Sequence, residues 1–558
     1  MGNIFFEITI ILCLAAFLSL IFRFFKQPLI LAYILTGIII GPFGQLQLGN
    51  KGLIETMGEL GITLLLFMLG LELKLSELRS IGKIAATIGI TQIIVTFFFG
   101  YFISIVLGFS SVVSLYIAIA LTFSSTIMVV KLLSDKKDLA SLHGKISIGV
   151  LLIQDLFAIF VLILLPEFNL AGNSSFSYYN LFLALIKGVV MFAFVIFLGK
   201  SVFPKLIKSV AKSSETLFLL SIAWVFGLTA LISSPVIGFP MEIGGLLAGL
   251  ALANSIANYQ IIARVRSLRD FFIIIFFVIL GLGMSFENLD KVLLAALGFS
   301  VFVLLGKPLI LMSIMGIMGY RKRTSFLTAA FLSQISEFSL IVVFLGTRLG
   351  RIPNDVSSTI IIVGIISFVV SNYMIFHANS LYNFFNPYLK IFEKKTGYKD
   401  NMDGVGELKN HVVLIGAHRV GKSILDALKE EGEDVCVIDF NPDIVSKIKD
   451  ETPAFFGDIS DVDILERVGI DKAKLVISTV PDLDDNLLLI RGLNQANRLA
   501  KIIVLAQDAD DARALYKAGA DYVVLPQLAG GRQVVKILKE GNLSSIHLLK
   551  LKDLNYLD

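Results

Sequence analysis

The chain has 558 residues, of which 56% are hydrophobic and 16% charged, with a formal net charge of +4. Soluble domains run about 45–50% apolar and about 25% charged, so a soluble enzyme is excluded, as is a disordered, fibrous or small disulfide-built protein. The small, dispersed charge gives no reason to invoke nucleic acid, and two cysteines, Cys13 and Cys436, far apart in the chain, imply no disulfide framework.

From Ile4 to about Phe376 apolar runs of membrane-spanning length alternate with short polar joints, and after Lys390 the composition turns ordinary. The N-terminus, MGNIFFEITIILCLAAFLSL, carries Glu7 where a cleavable signal would be basic and reads as an uncleaved first span. Spans are predicted near 3–22, 28–42, 56–73, 81–107, 112–133, 145–165, 178–203, 215–233, 239–254, 270–286, 290–318, 323–348 and 355–378, thirteen in all. The expected organisation is a transmembrane domain over 1–385, a linker over 386–408 and a soluble domain over 409–558.

Lys and Arg in the short joints set the expected orientation. One alternate set of joints holds nineteen, from Arg23 and Lys26 to Arg321, Lys322 and Arg323; the other holds only Lys51, Lys291, Arg348 and Arg351. The bias places the N-terminus outside and the C-terminal domain in the cytoplasm of a multi-pass cell-membrane protein.

A charge at mid-bilayer costs about 2.5–3.5 kcal/mol on insertion scales, so an ionisable group there is a functional candidate. Asp155 lies in the sixth span, GVLLIQDLFAIFVLILL, preceded by Gln154 and apolar for about two turns on either side. The fifth span carries Thr122, Ser124, Ser125 and Thr126 at its midpoint, hydroxyls that compete for backbone hydrogen bonds and favour a broken helix, although such residues also serve tight helix contacts. The twelfth is interrupted alike at Ser333, Gln334, Ser336 and Glu337. Seven spans separate the two, an odd number, which predicts inverted repeats of spans 1–6 and 8–13 whose broken helices cross at the substrate site. The repeat pairs the fourth span with the eleventh, where Lys307 beside Pro308 is the expected counter-charge for Asp155, with a structural role at the kink as the alternative. An acid among amide and hydroxyl oxygens suits a monovalent cation and a proton competing for one carboxylate. A carbonyl filter such as TVGYG, which a channel needs, does not occur.

These residues carry a resemblance. LTFSSTIMVVKLLSDKKDLASLHGKISIGVLLIQDLFAI and LSQISEFSLIVV resemble the cation:proton antiporter-2 family, specifically its Kef-type members. The resemblance implies a homodimer, a moving core of crossed half-helices and elevator-like alternating access. Gln154–Asp155 is similar to the family's Gln-Asp form, which implies electroneutral exchange with K+ favoured over Na+. It also implies that Asp155 carries cation and proton, with Ser125 and Thr126 at the crossing; Gln154, Lys307 and Glu337 complete the expected ion- and proton-binding set.

From Lys409 short apolar strands alternate with helical stretches, the pattern of a doubly wound α/β Rossmann-like domain with a parallel sheet. Its first turn, Gly416 to Ser423, satisfies two motifs: a dinucleotide fingerprint in which His418 takes the middle glycine's place, and a Walker A loop complete in every letter. The fingerprint is preferred, because Asp439 ends the second strand where that fold binds ribose hydroxyls. The domain resembles the RCK or TrkA-N regulatory type, including Gly457-Asp458, which implies ligand sensing and no hydrolysis. Gly416, His418, Arg419, Gly421, Asp439 and Asp458 are the expected contacts for an adenine nucleotide, AMP, ATP or NAD(H); an empty pocket that serves only dimerisation is the alternative. The reading is therefore a cation/proton antiporter and not an enzyme. A ligand-gated potassium efflux channel and a membrane-anchored dehydrogenase or ATPase are the competing readings.

Overall fold

The computed structural model of the chain describes residues 4–392 and 409–539, apart from 45–48, 73–82, 137, 166–189, 192, 211–212, 235–236, 238, 240, 256, 286–288, 440–441, 458–467 and 497–499. Two compact units separate, one built on residues 1–134 and 146–394 and one on 135–145 and 395–558.

Among the described residues the first unit forms helices and no strand. Its helices are α1 (Ile4–Phe24), α2 (Leu29–Ile38), α3 (Lys51–Glu72), α4 (Lys83–Val106), α5 (Ser111–Thr122), α6 (Thr126–Asp135) and α7 (Leu142–Leu164). Then follow α8 (Phe203–Val210), α9 (Ser214–Ile232), α10 (Met241–Leu252), α11 (Asn258–Leu282), α12 (Leu289–Val301), α13 (Lys307–Ile317), α14 (Lys322–Phe331), α15 (Glu337–Arg348), α16 (Asn354–Phe376) and α17 (Ala378–Phe385).

Among the described residues eight helical stretches are long and apolar enough to cross a membrane, and Leu29–Phe43 and Ile243–Leu252 are apolar but shorter. The remaining three expected spans, and the form of the eleventh, differ for identifiable reasons. The twelfth is broken into α14 and α15. The tenth, expected at 270–286, begins at Asn258, because the helix continues through Arg264, Arg266 and Arg269, which sequence reading assigns to a joint. Long basic side chains can leave an apolar environment while their backbone stays helical. Half of the seventh, expected at 178–203, lies outside the described residues. The eleventh runs from α12 through a π-helical turn at Phe302–Gly306 into α13. Pro308 has no N–H to continue the ladder, and a wider turn absorbs the loss.

Packing within this unit repeats itself. Helix α2 meets α11 so closely that a Cβ on Gly37 would stand 2.9 Å from the Cα of Gly281. Helix α3 meets α10 alike, with a Cβ on Gly70 2.9 Å from the Cα of Gly249. Small residues let membrane helices approach backbone to backbone. Spans two and ten, and spans nine and three, are the pairs that an inverted repeat exchanges. Helices α5 and α15, from spans five and twelve, pack on each other.

The second unit has β1 (Val412–Ile415), α18 (Arg419–Glu430), β2 (Val435–Asp439), α19 (Pro442–Ile448), β3 (Ala454–Phe456), β4 (Leu475–Ser478), α20 (Leu483–Ala496), β5 (Lys501–Leu505), α21 (Ala509–Ala518), β6 (Tyr522–Val524) and α22 (Pro526–Lys539). The sheet is parallel in the order β3-β2-β1-β4-β5-β6, the doubly wound arrangement, with its switch point between β1 and β4. Val413 and Ile415 enter one core, Val412 and Leu414 the other, so an unbroken apolar run is what a strand covered on both faces requires.

Candidate functional site

Four hydroxyls end α5 and start α6. Thr122 Oγ1 donates back to the Ala118 carbonyl at 2.8 Å, and Phe123 then leaves the helix in extended backbone. Ser125 caps α6: its Oγ accepts the Met128 amide at 3.2 Å and donates to Glu337 Oε1 at 2.7 Å. Thr126, the first residue of α6, donates to Asp155 Oδ2 at 2.8 Å. Neighbouring hydroxyls of one break thus meet two different carboxylates, both buried.

The second break runs from Leu332 to Ser336. Ser336 caps α15 by accepting the Phe338 amide at 3.2 Å, while Ser339 Oγ accepts the Ser336 amide at 3.1 Å, a capping box built of two serines. Glu337 is the first residue of α15, as Thr126 is of α6, and the same sequence spacing separates Ser125 from Ser336 and Phe123 from Gln334. Ser124 Oγ joins the two breaks by donating to the Leu332 carbonyl at 3.0 Å.

Electrostatics explain where the charges stand. Helix N-termini carry partial positive and C-termini partial negative charge. The N-termini of α6 and α15 meet Asp155 and Glu337. Past the C-termini of α5 and α14, Lys307 donates to the Phe123 carbonyl at 2.8 Å and to the Gln334 carbonyl at 3.1 Å, with 1% of its surface exposed. The counter-charge expectation thus meets a different arrangement, since the ammonium binds carbonyls and, among the described residues, forms no ion pair with Asp155. A carbonyl freed by an interrupted helix has no water to turn to, and a buried ammonium needs acceptors; each meets the other's need.

Gln154 is wholly buried, and its Oε1 accepts the Ser124 amide at 2.8 Å. Its Nε2 donates to Gln92 Oε1 at 2.6 Å, and Gln92 donates on to Thr96 Oγ1 at 2.9 Å and to the Thr122 carbonyl at 3.2 Å. Sequence reading missed Gln92 and Thr96. The signal was present: an amide and a hydroxyl four residues apart in the mostly apolar α4. The side-chain amide of Gln334, also missed as a site residue, is fully buried with no hydrogen-bond partner for either polar atom.

In the second unit β1 passes into α18 through only Gly416, Ala417 and His418. Gly416 has φ +84°, and a Cβ on Gly421 would lie 1.9 Å from the Gly416 carbonyl oxygen, so both positions exclude side chains. Asp439, buried at the end of β2, accepts the Ala417 amide at 2.7 Å through Oδ2. Across the switch point Thr479 Oγ1 donates to the Gly416 carbonyl at 2.9 Å. Lys422 and Ser423 already lie inside α18, so the turn is too short to arch over a triphosphate as a Walker A loop does, and the fingerprint reading holds. His418 stands exposed at the cap of α18, and Asp458 lies outside the described residues. Burial in β2 pushes the Cys436 thiol up to about 12, which leaves it a packing residue.

Comparison with known proteins bears on both units. Residues 9–378 match the family described as sodium/hydrogen exchanger, transmembrane, and residues 412–526 match the TrkA-N domain. YbaL of Escherichia coli (strain K12) is 26% identical over 537 residues, 95% of this chain and 96% of its own. The glutathione-regulated potassium-efflux system protein KefC of Klebsiella pneumoniae (strain 342) is 25% identical over 502 residues, 88% of this chain and 78% of its own. The solved structure of the sodium proton antiporter MjNhaP1 from Methanocaldococcus jannaschii is 18% identical, covers 67% of this chain and 96% of its own, and has a TM-score of 0.54, a likeness of fold. The paired glycine contacts, the two crossed breaks and the match over most of the chain lead to one conclusion: this multi-pass membrane protein belongs to the sodium/hydrogen exchanger family, as a cation/proton antiporter that carries a C-terminal TrkA-N domain.

Proposed function

We propose that the chain exchanges potassium, and sodium less readily, for protons by elevator-like alternating access, as a homodimer with its N-terminus outside and its TrkA-N domain in the cytoplasm. One observation carries the reading: Asp155 and Glu337 stand at the N-termini of two interrupted helices that cross, each holding a hydroxyl of the same break. Ionised, Asp155 offers a carboxylate to a cation stripped of water, with Thr126 holding one of its oxygens. Protonated, it has no charge to offer, so cation and proton exclude each other, as coupling demands. Lys307 pins both breaks by their carbonyls and lets them move as one body. Glu337 stays tied to Ser125 and supplies a second negative charge near the ion's path.

Regulation by an adenine nucleotide belongs to the same proposal. The geometry of the turn fits such a ligand, since Gly416 and Gly421 leave it bare and the N-terminus of α18 favours an anion. Gly416, Gly421, His418 and Arg419 would hold phosphate, and Asp439 and Asp458 the ribose; the bound nucleotide supplies no chemistry, only charge and shape. The test is proteoliposomes loaded with a pH-sensitive dye and challenged with potassium, sodium or lithium, with and without AMP, ATP and NAD(H). Potassium-dependent proton movement that changes with one nucleotide is expected; proton movement indifferent to every cation would sink the reading.

A further inference from the structure

Gln92 lies on α4, outside both breaks, yet it begins a chain of amides that ends beside the carrier carboxylate. The orientation of that chain is decided at its two ends. The Thr122 carbonyl can only accept and the Ser124 amide can only donate. Gln92 must therefore turn its Nε2 toward Thr122, which leaves its Oε1 for Gln154 Nε2 at 2.6 Å. Gln154 must then turn its Oε1 to the Ser124 amide, found at 2.8 Å. Flipping either amide puts two donors or two acceptors face to face. Thr96 Oγ1, at 2.9 Å, accepts a further hydrogen bond from Gln92 Nε2. Gln92, Thr96 and Gln154 are 1%, 0% and 0% exposed, so water is no substitute partner. The two amides bridge the backbone on either side of Phe123, where the helix ladder has stopped.

We infer that Gln92 is a positioning residue of the transport site: through Gln154 it holds the 122–126 backbone so that Thr126 faces Asp155, and Gln154 is a brace, not a cation ligand. Both ends of the Gln154 amide are taken, one by backbone and one by Gln92. The eleventh span does the corresponding work with a charge, Lys307, and the fourth does it with a neutral amide. That leaves Asp155 without a competing cation on this side. The inference rests on the antiport reading and deepens it.

Three measurements test it on the full chain. Gln92→Leu removes the relay and is expected to raise the apparent potassium KM by about tenfold to a hundredfold, the range for a buried partner lost, with Vmax less affected. Gln92→Glu keeps both roles while its added carboxyl is protonated, accepting from Gln154 and donating toward Thr122. Its KM should stay near wild type at acidic pH and rise once the carboxyl ionises, a pH profile that a packing role does not produce. Deuterium uptake over residues 122–126 should increase in Gln92→Leu whatever the transported ion. A potassium KM within twofold of wild type for Gln92→Leu, a Gln92→Glu whose KM relative to wild type at the same pH does not change with pH, or unchanged deuterium uptake each overturns the inference. Wild-type protein that moves no protons on adding cation sinks the antiport reading instead, and the deuterium uptake then decides Gln92 alone.

Discussion

Two segments of this protein leave regular structure beside a buried carboxylate, and they are made of opposite materials. The break at Phe123–Ser125 contains no glycine, and its backbone stays in conformations open to any residue. Its orphaned groups are met by side chains from three other spans: Gln92, Gln154 and Lys307. The turn at Gly416–His418 instead needs one glycine at positive φ and a second at position 421, and it is held by Asp439 and Thr479. The difference follows from the solvent. Inside a membrane unit no water takes up a broken ladder, so the break is filled with donors and acceptors. At the carboxyl end of a sheet in water the useful property is bareness, which lets a ligand come close to backbone and helix end. The first segment is a rigid, charged joint and the second an open cradle.

The comparison can be broken most decisively at Asp155. Asp155→Asn still accepts the Thr126 hydroxyl, so the joint should stay folded while cation-dependent proton movement in liposomes falls to the leak of empty vesicles. Retained exchange would remove Asp155 from the chemistry and leave the break purely structural. Lys307→Met strips the donor from the Phe123 and Gln334 carbonyls and should lower stability at roughly 1–3 kcal/mol for each group left unmet. A thermal melt in detergent measures it, and an unchanged midpoint would mean the joint does not depend on its ammonium.

On the cradle side, Gly421→Ala drives a Cβ into the Gly416 carbonyl and should weaken nucleotide binding by at least about tenfold, roughly 1.4 kcal/mol. Isothermal calorimetry measures it, and unaltered affinity would move the pocket elsewhere. The smallest effect concerns Asp521, whose carboxyl is held below its ordinary range by hydrogen bonds from Lys501 Nζ and the Ile502 amide, both at 2.8 Å. A lowered folded value contributes stability that is complete above the usual carboxylate range and lost as pH falls through the folded value. Asp521→Asn should therefore cost at most about 1 kcal/mol at neutral pH, as exposed pairs do, and still less near pH 3. Urea unfolding followed by circular dichroism at the two pH values checks it. A larger cost would mean that charge matters to the soluble unit as it does to the joint.

Period, composition and breaker residues act locally, which is why so much could be read in advance. The two-part chain, the breaks at Ser124–Thr126 and Ser333–Glu337, the parallel sheet and the two glycines of its first turn all follow from residues close in sequence. The inverted repeat was legible too, as an odd count of spans between two interruptions. Contacts between distant spans were not legible. Lys307 and Asp155 share a buried region, and charge alone suggests that they pair; only the crossing shows two unmet carbonyls closer to the ammonium than any acid. Gln92 reads as one more polar residue in an apolar helix until Thr122 and Ser124 are seen to need, respectively, a donor and an acceptor. Sequence determines where a helix must fail, because failure is a property of neighbouring residues. Which side chains then complete it depends on spans brought together from far along the chain, and the tertiary structure decides that.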